Sequence, residues 1–588
     1  METHQTSATK TQVQITPTHL DQDEAVIDPS PSPALRRREF LSRLGGVTAA
    51  TFALSHSSWP ARLQTAHATT AGKSEACDIG SVTGRRRLEQ AYEVRLKAAL
   101  YQRQLPLPPH PCNGDEALYA TKIGSYSKGL PHHDNGEVDL PSYEALIHAL
   151  STGQPADFEA IPLGGSLKLT SPQAAYAFTL EGLDSHHLGM VAPPAFESAE
   201  IASEMAEIYW QALTRDVPFA EYETSSHTAA AADDLSRFSA FQGPTISGAV
   251  TPATLFRGPT PGDLTGPYLS QFLWQDIPFN AIQIAQKYHV PVAGNDHVTA
   301  YADWLDLQRG LPPTQTTTLD QTPHYLCNGR DLAEYVHLDF GLSQMDFAYQ
   351  ASTNAGMILL GWGEDALAVG NPYLHTTTQA GFVTFGAPGI LDLVSRVSIA
   401  ALKAAWYQKW LVHRRLRPEA FAGRIHNHLT GAVQYPLHPE ILEASVLEAI
   451  SEQYGTYLLP MAYPEGCPSH PAYPSGHATF AGAGVTMLKA WFNESFTIPD
   501  PVIASADGLS LEPYDGSPLT VGGELNKLAF NIAMGRVGAG VHWRSDAQEG
   551  LKLGEAVAIG ILTEMHTLMN EDFQGFSFTT FDGTPITI

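Results

Sequence analysis

The sequence has little cysteine, little positive charge and no long apolar run. Its 588 residues include four cysteines, too few and too scattered for a Cys-x-x-Cys metal site or a small disulfide scaffold. With 34 Lys and Arg against 61 Asp and Glu, the net charge of −27 argues against nucleic-acid binding by bulk attraction. No run approaches the roughly 18 apolar residues of a membrane span, which excludes an integral membrane protein. The 43% hydrophobic and 9% aromatic content instead indicates a globular protein with a large core.

The beginning of the chain has the features of a twin-arginine export signal in the correct order. A run of arginines ending at Arg38 and a Phe-Leu pair precede a weakly apolar stretch over residues 45–54, and the small residues Ala66 and Ala68 follow. The apolar stretch is too short to span a bilayer. We assign residues 1–68 to a signal peptide of the twin-arginine type, with a disordered basic arm as the alternative. Export implies a periplasmic or extracellular location.

The redox state of the cysteines stays open at this level. An oxidising compartment permits one or two disulfides, but connectivity cannot be read from sequence. Disulfides and buried free thiols are therefore equal alternatives. The residues concerned are Cys77, Cys112, Cys327 and Cys467.

Hydrophobic periodicity predicts a mainly helical fold with long loops. Strict two-residue alternation, the pattern of half-buried strands, is scarce. Stretches rich in Gly, Pro and Asn, such as residues 124–138 and 241–263, predict connections. Apolar residues at helical spacing predict helices over 85–105, 198–215, 391–416, 478–492, 524–536 and 546–569.

A first candidate binding element is Pro474-Ser475-Gly476-His477, directly before the helical run that begins at Ala478. A serine hydroxyl, a glycine N–H that no side chain obstructs, and the positive end of a helix dipole together favour an anion. The alternative is a serine N-cap beside an exposed histidine.

A second candidate is the pair Lys409 and Arg417, which lie eight residues apart near the end of a predicted helix. At about 100° per residue they are offset by about 80°, so both cations can converge on one anion. The alternative is a solvated basic face, because His413, Arg414 and Arg415 lie between them.

A third candidate joins Arg536 to His542 across a turn. Gly538 and Gly540 permit a sharp reversal that can bring the two side chains to one pocket. Asp546, four residues after His542, can accept a hydrogen bond from the imidazole and fix its tautomer. The alternative is a structural helix–turn–helix with an incidental histidine.

The ordered set Lys-x7-Arg-Pro, Pro-Ser-Gly-His and Arg-x5-His-x3-Asp resembles the signature shared by vanadium-dependent haloperoxidases and type 2 phosphatidic acid phosphatases. The common phosphatase form has six residues between the Lys and the Arg-Pro. This chain has seven, as in the vanadium bromoperoxidases of marine algae and cyanobacteria. The likeness extends upstream through residues 255–258, 262–264 and 266–272 and covers nearly the whole mature chain.

The resemblance implies an all-α fold in which two four-helix bundles form one large helical domain with long loops. We expect residues 69–380 to form an N-terminal helical region that includes oligomer-contact helices. Residues 381–588 are expected to form the vanadate-binding region, packed with the first region as one domain. Algal relatives assemble as homo-oligomers, often dodecamers, so a homo-oligomer is expected here.

The resemblance also implies vanadate, with vanadium in the pentavalent state, as cofactor. His542 would be its one direct protein ligand, supported by Asp546. His477 would be the acid/base group, and Lys409 would also polarise the peroxide. The groups that would offset the negative charge of the vanadate oxygens are Lys409, Arg417, Arg536, Ser475 and Gly476.

The implied reaction is the oxidation of halide by hydrogen peroxide to hypohalous acid, which then halogenates small organic acceptors. His470 matches a position where bromoperoxidases tend to have histidine, so it is counted among the catalytic residues and favours bromide over iodide or chloride. Trp406 is expected at the edge of the halide pocket. The alternatives are that Trp406 packs in the core and that His470 satisfies a loop carbonyl.

Two other functions compete with this one. An acid phosphatase could use the same pocket, with His542 as phosphorylated nucleophile and His477 protonating the leaving alcohol. A non-catalytic oxyanion-binding protein would give no reason for His477. Chain length, the seven-residue spacing and His470 favour the peroxidase.

Overall fold

The computed structural model describes residues 84–337 and 349–588, so the predicted signal peptide lies outside the described residues. Residues Gly84–Ile588 form one compact unit. The helices of the described residues are α1 (Gly84–Gln104), α2 (Asp115–Leu118), α3 (Leu140–Thr152), α4 (Pro155–Glu159), α5 (Ala199–Leu213), α6 (Ser226–Leu235), α7 (Tyr301–Gln308), α8 (Gly329–Tyr335), α9 (Gln350–Gly361), α10 (Ala387–Tyr407), α11 (Pro418–Leu429), α12 (Pro439–Leu442), α13 (Ser445–Tyr454), α14 (Gly476–Trp491), α15 (Val521–Gly538) and α16 (Arg544–Leu568).

The strands of the described residues form short antiparallel hairpins, and isolated β-bridges such as Tyr288 with His324 occur outside them. The hairpins are formed by β1 (Ile277–Phe279) with β2 (Ile282–Ile284), β3 (Val502–Ala504) with β4 (Leu511–Pro513), and β5 (Ser577–Thr579) with β6 (Pro585–Thr587). Short 3-10 helices lie at Pro172–Tyr176, Ser185–His187, Phe219–Glu221, Gln271–Leu273, Glu364–Ala366 and Pro372–His375. The prediction of an all-α fold is confirmed. None of the described helices is long and apolar enough to cross a bilayer.

The core is built around α14, all sixteen residues of which are buried. It packs against α10, α15 and α16, which also contact one another in part. Glycines bring α14 and α16 close together: a Cβ at Gly554 would lie 2.0 Å from the Thr479 carbonyl oxygen, and one at Gly482 would lie 2.4 Å from the Leu551 carbonyl oxygen. Tight backbone contact between these two helices fixes the relative position of their N-termini.

One helix boundary differs from its prediction. The helix expected over residues 391–416 changes from α-helical to π-helical over Gln408–His413, and Arg414 is in the left-handed region at φ 43°. The Arg414 N–H donates to the Lys409 carbonyl oxygen at 3.0 Å, the five-residue step of a π-turn. Because the helix ends before Arg417, the predicted helical phase between Lys409 and Arg417 is wrong.

The three cysteines in the described residues are free thiols. Cys327 and Cys467 are buried and Cys112 is exposed, whereas Cys77 lies outside the described residues. Burial raises the pKa of the Cys327 and Cys467 thiols well above the ordinary range, so both are neutral. Buried free thiols were one of the two alternatives left open by the sequence.

Candidate active site

Three cationic side chains are buried at the ends of the core helices. Lys409, Arg417 and Arg536 are each at most 2% exposed. Lys409 Nζ donates to the carbonyl oxygens of Pro471 and Ala472 at 2.9 and 2.8 Å, on the segment that leads into α14. The lysine thus lies against the loop that carries the Pro-Ser-Gly-His motif. The alternative of a solvated basic face is wrong for these cations.

Arg417 links the Lys409 side of the pocket to the turn before α16. It donates from Nε to the His470 carbonyl oxygen at 3.0 Å and from Nη1 to the Val541 carbonyl oxygen at 2.6 Å. Nη1 also lies 3.0 Å from His542 Nε2. Lys409 and Arg417 therefore reach one pocket because the chain leaves the helix and turns back between them.

Arg536 comes from the last turns of α15. It donates from Nη1 to the Val336 carbonyl oxygen at 2.7 Å and to the Tyr463 hydroxyl at 3.2 Å. Its Nε is buried and has no hydrogen-bond partner among the described residues. A buried, charged N–H group without an acceptor costs free energy, and an incoming anion can remove that cost.

Within the described part of the chain, none of these three cations forms an ion pair with a carboxylate. Burial lowers the pKa of Lys409 well below its ordinary value, and the charge of Arg417 lowers it further. Burial likewise lowers the pKa of Arg417, although Asp546 acts in the opposite direction. Burial and mutual repulsion thus disfavour the charged forms of these groups, and a bound anion would offset both effects, which is the electrostatic condition for binding an anion.

His542 faces this pocket in a defined orientation. Its Nδ1 lies 2.8 Å from Asp546 Oδ2, and its Nε2 faces Arg417. Burial and then the charges of Arg417 and Lys409 lower the pKa of His542 well below its ordinary value. The neutral ring therefore carries its proton on Nδ1, where the carboxylate accepts it, and directs the Nε2 lone pair into the pocket.

The start of α14 supplies neutral groups. Ser475 is the N-cap, and its Oγ accepts a hydrogen bond from the Ala478 N–H at 3.3 Å. A Cβ at Gly476 would lie 3.3 Å from the Trp406 ring, tighter than ordinary contact. His477 is 4% exposed, so the alternative of an exposed histidine beside the cap is wrong. The helix N-terminus therefore opens beside the cationic groups.

Trp406 and His470 lie together next to Lys409. Their ring centroids are 4.9 Å apart, and Lys409 Nζ lies 5.9 Å from the Trp406 ring. Trp406 Nε1 donates to the Thr170 carbonyl oxygen at 3.2 Å. Burial and then the charges of Lys409 and Arg417 lower the pKa of His470 well below its ordinary value, so this ring is neutral.

Two residues bonded to this array escaped the sequence reasoning. Arg415 was assigned to a basic face in the alternative interpretation, but it is 3% exposed and donates to Asp546 Oδ1 at 2.7 Å. Glu204 on α5 is 2% exposed and accepts from Arg415 at 3.0 Å. The available signal was an acidic residue with Ile201 three residues before it and Ile208 four residues after it on one helical face, since an acid on an apolar face requires a buried partner.

The donor set suits a tetrahedral oxyanion better than a bare metal cation. Three cations and a helix N-terminus bind negative oxygens, whereas a bare divalent cation needs several anionic or neutral ligands. The Nε2 lone pair of His542, which faces Arg417 Nη1 at 3.0 Å, can supply a single direct bond. The fold and site thus define an all-α protein with a candidate oxyanion pocket at helix ends.

Comparison with known proteins agrees with this class. Residues 393–571 match the VCPO second helical-bundle domain. The vanadium-dependent bromoperoxidase of Ascophyllum nodosum is 35% identical, over 85% of this chain and 92% of that protein. The vanadium-dependent bromoperoxidase of Corallina officinalis is 33% identical, over 85% of this chain and 98% of that protein.

A solved structure shares the whole fold. The homohexameric structure of the second vanadate-dependent bromoperoxidase from Ascophyllum nodosum superimposes with a TM-score of 0.81 at 30% identity, covering 93% of this chain and 95% of the other. The chain belongs to the vanadium-dependent bromoperoxidase family and is a haloperoxidase.

Proposed function

We propose that the protein uses vanadate as cofactor and oxidises bromide with hydrogen peroxide to hypobromous acid, which halogenates small organic acceptors. The observation that carries this proposal is the orientation of His542. Its Nδ1 is held by Asp546 at 2.8 Å while Nε2 faces three buried cations that lack carboxylate partners among the described residues. This lone pair can form one bond from the protein to a metal, and the cationic donors around it can bind the oxygens of that metal. A metal oxyanion with a single protein ligand matches this arrangement.

In this proposal each residue has a separate role. His542 Nε2 would bind vanadium, and the vanadate oxygens would be held by donors from three elements of the chain. When bound, vanadate supplies a Lewis-acidic centre that activates hydrogen peroxide for oxygen transfer to halide without a change in its own oxidation state. The donors to its oxygens are Lys409, Arg417, Arg536, Ser475 and the Gly476 N–H.

The proton balance gives His477 its role. Peroxide, halide and one proton yield hypohalous acid and water, so the halide loses two electrons and the two peroxide oxygens gain one each. His477, in the first turn of α14 and 4% exposed, would move the protons of peroxide and product water. Lys409 would polarise the transferred oxygen.

Bromide is the proposed halide. Trp406 and His470 form a partly buried aromatic pair 4.9 Å apart beside Lys409, where a weakly hydrated anion can contact ring edges while the ammonium supplies charge. A His470→Phe variant, compared with the parent on bromide, chloride and iodide, measures this preference. An unchanged ratio of kcat/KM values for the three halides would contradict a role for His470.

The test of the function is halogenation of monochlorodimedone or phenol red with peroxide and bromide, before and after orthovanadate is added. We expect activity only with vanadate, and we expect His542→Ala to lose both activity and vanadate binding. His132→Ala removes another buried histidine and serves as the control, with activity retained. Vanadate-independent phosphate release without halogenation would instead support a phosphatase.

We further propose export by the twin-arginine route, to the periplasm or beyond, and assembly as a homo-oligomer. The export proposal rests on the arginine run and the small residues near position 68. The homo-oligomer proposal is supported by the exposed apolar residues of α1 and by the homohexameric structure of the Ascophyllum relative. Fusion of residues 1–68 to a reporter whose export requires the twin-arginine route tests the first proposal, and retention of the reporter inside the cell would contradict it.

A further inference from the structure

Helix α5 carries two buried glutamates three residues apart. Glu204 and Glu207 are 2% and 1% exposed, in a helix whose residues from Ile201 to Ala212 are all buried. Two carboxylates in one apolar helix are costly unless each has a charged partner. The partner of Glu204 is Arg415, which also bonds Asp546, and the partner of Glu207 is Arg544, at the start of α16.

Glu204 is the end of a continuous chain of charged groups that leads to His542. Its Oε2 accepts from Arg415 Nη2 at 3.0 Å, and Arg415 Nη1 donates to Asp546 Oδ1 at 2.7 Å. Asp546 Oδ2 in turn lies 2.8 Å from His542 Nδ1. Glu204 Oε1 also accepts from the Ser545 N–H at 2.8 Å, at the start of α16.

Glu207 forms a separate pair of the same kind. It accepts two hydrogen bonds from Arg544, one of them from Nε at 2.7 Å. Arg544 also donates to the Arg257 carbonyl oxygen at 3.0 Å. None of these bonds reaches Asp546 or His542, so the second pair stabilises the same helix junction without a hydrogen-bonded link to the imidazole.

Acidic and basic groups alternate along the series of bonds that runs from Glu204 to His542. Asp546 interacts electrostatically with Lys409 and Arg417, both of which attract its carboxylate. Arg415 holds one oxygen of Asp546, which leaves the other for His542 and for the Trp543 N–H at 3.0 Å. Glu204 fixes the guanidinium of Arg415 from the opposite side, in the planar two-sided geometry that arginine provides.

We propose that Glu204 and Arg415 are positioning residues that hold the Asp546 carboxylate so that His542 keeps its proton on Nδ1 and directs Nε2 at the oxyanion. Both act through Asp546 and neither touches the ligand. The identity of that ligand as vanadate rests on the proposed function, whereas the orientation of the ring does not.

The test compares Glu204→Gln with Glu207→Gln. The two changes are isosteric, lie on one helix, and each removes a buried charge from an arginine. We expect both to lower the melting temperature. Only Glu204→Gln is expected to weaken vanadate binding, measured by equilibrium dialysis of the metal-free protein, by about 10- to 100-fold, the range found for groups that orient metal ligands. Glu207→Gln should stay within about twofold of the parent.

Arg415→Lys is the second variant if Glu204→Gln does not fold. It keeps the positive charge but cannot bridge two carboxylates in one plane, so an intermediate loss of vanadate affinity is expected. Equal vanadate affinities in the parent and the Glu204 and Arg415 variants, with only melting temperatures changed, would overturn the proposal.

A vanadate-free readout separates this proposal from the proposed function. Crystal structures of the metal-free parent and Glu204→Gln proteins should show the His542 ring held by Asp546 in the parent and rotated or detached in the variant. If the parent binds no vanadate, the cofactor proposal fails, yet the ring comparison still decides the role of Glu204. An identical ring position in both crystals would contradict that role.

Discussion

At the scale of single residues, buried charges follow two patterns. Lys128 and Glu419 form a pair at 3.0 Å with both side chains at most 3% exposed, and Arg415 is held between two carboxylates. Lys409 and Arg417, by contrast, donate to carbonyl oxygens and have no carboxylate among the described residues to compensate their charge. The paired charges stabilise the fold, whereas the uncompensated ones are kept for a ligand, at a cost in the ligand-free protein that binding removes.

His337 gives a pH-dependent prediction at this scale. Burial opposes its charge, but Glu334 and Glu465, the latter at 2.7 Å, outweigh burial and raise the pKa of His337 to about 9. Since the folded pKa exceeds the unfolded value, this stabilisation is complete below about pH 6.5 and is lost as the pH rises through about 9. His337→Gln should lower the free energy of unfolding by about 2 to 3 kcal/mol at low pH.

Urea titration of parent and His337→Gln proteins near about pH 6 and again near about pH 10 measures this effect. The difference between the two proteins should shrink at the higher pH. A difference that stays constant across this range would mean that the charge of His337 contributes nothing. His426→Gln, at a histidine whose pKa is lowered chiefly by burial, is the control and should show no such loss at high pH.

At the scale of elements, the π-helical turn at Gln408–His413 explains the spacing of the first motif. A π-turn takes one residue more than an α-turn, so it accommodates a longer connection while the start of α10 stays packed in the core. The left-handed Arg414 then redirects the chain toward Arg417. The seven residues between Lys409 and Arg417 thus include one widened turn at the end of the helix.

The close contact between α14 and α16 predicts the effect of a substitution at Gly554. A Cβ at Gly554 would lie 2.0 Å from the Thr479 carbonyl oxygen and 2.6 Å from the Ala483 nitrogen, both backbone atoms that cannot move independently. Gly554→Ala should therefore separate the two helices and destabilise the protein by about 3 kcal/mol or more. Because Ser475 and Asp546 lie at the starts of these helices, vanadate affinity should fall with stability.

Gly356→Ala, in α9, is the matched control. A Cβ there would meet only side-chain atoms at 3.4 and 3.5 Å, which is ordinary contact. The alanine should raise stability by up to about 1 kcal/mol through helix propensity. Thermal unfolding of both variants checks the pair, and equal melting temperatures would refute the packing argument.

At the scale of the whole molecule, α1 has an apolar face that the other residues described in the structure leave exposed. Leu88, Tyr92 and Leu96 lie one turn apart on one face, with exposures of 71%, 67% and 42%. Exposed apolar residues at helical spacing are typical of a protein–protein contact. The occupant we propose is a second copy of this chain.

Replacement of Leu88 and Tyr92 by glutamate should therefore lower the oligomer mass measured by light scattering coupled to size-exclusion chromatography. The buried charges would disfavour association, while the site is left intact. Leu180→Glu, at a loop residue exposed to 91%, is the control for an added surface charge. An unchanged mass in the double variant would exclude this helix from the interface.

The sequence alone determined the helices with strong periodicity and the three motifs, because both depend on local spacing. Tertiary structure decided what those motifs contact. Arg415 and Glu204 are 211 residues apart. Their bond depends on α5 lying against the start of α16, where Ser545 also donates to Glu204. The end of α10 likewise escaped prediction, since no single residue there marks a π-turn. Periodicity and capping act over a few residues, whereas buried charges find partners only after the whole core has packed.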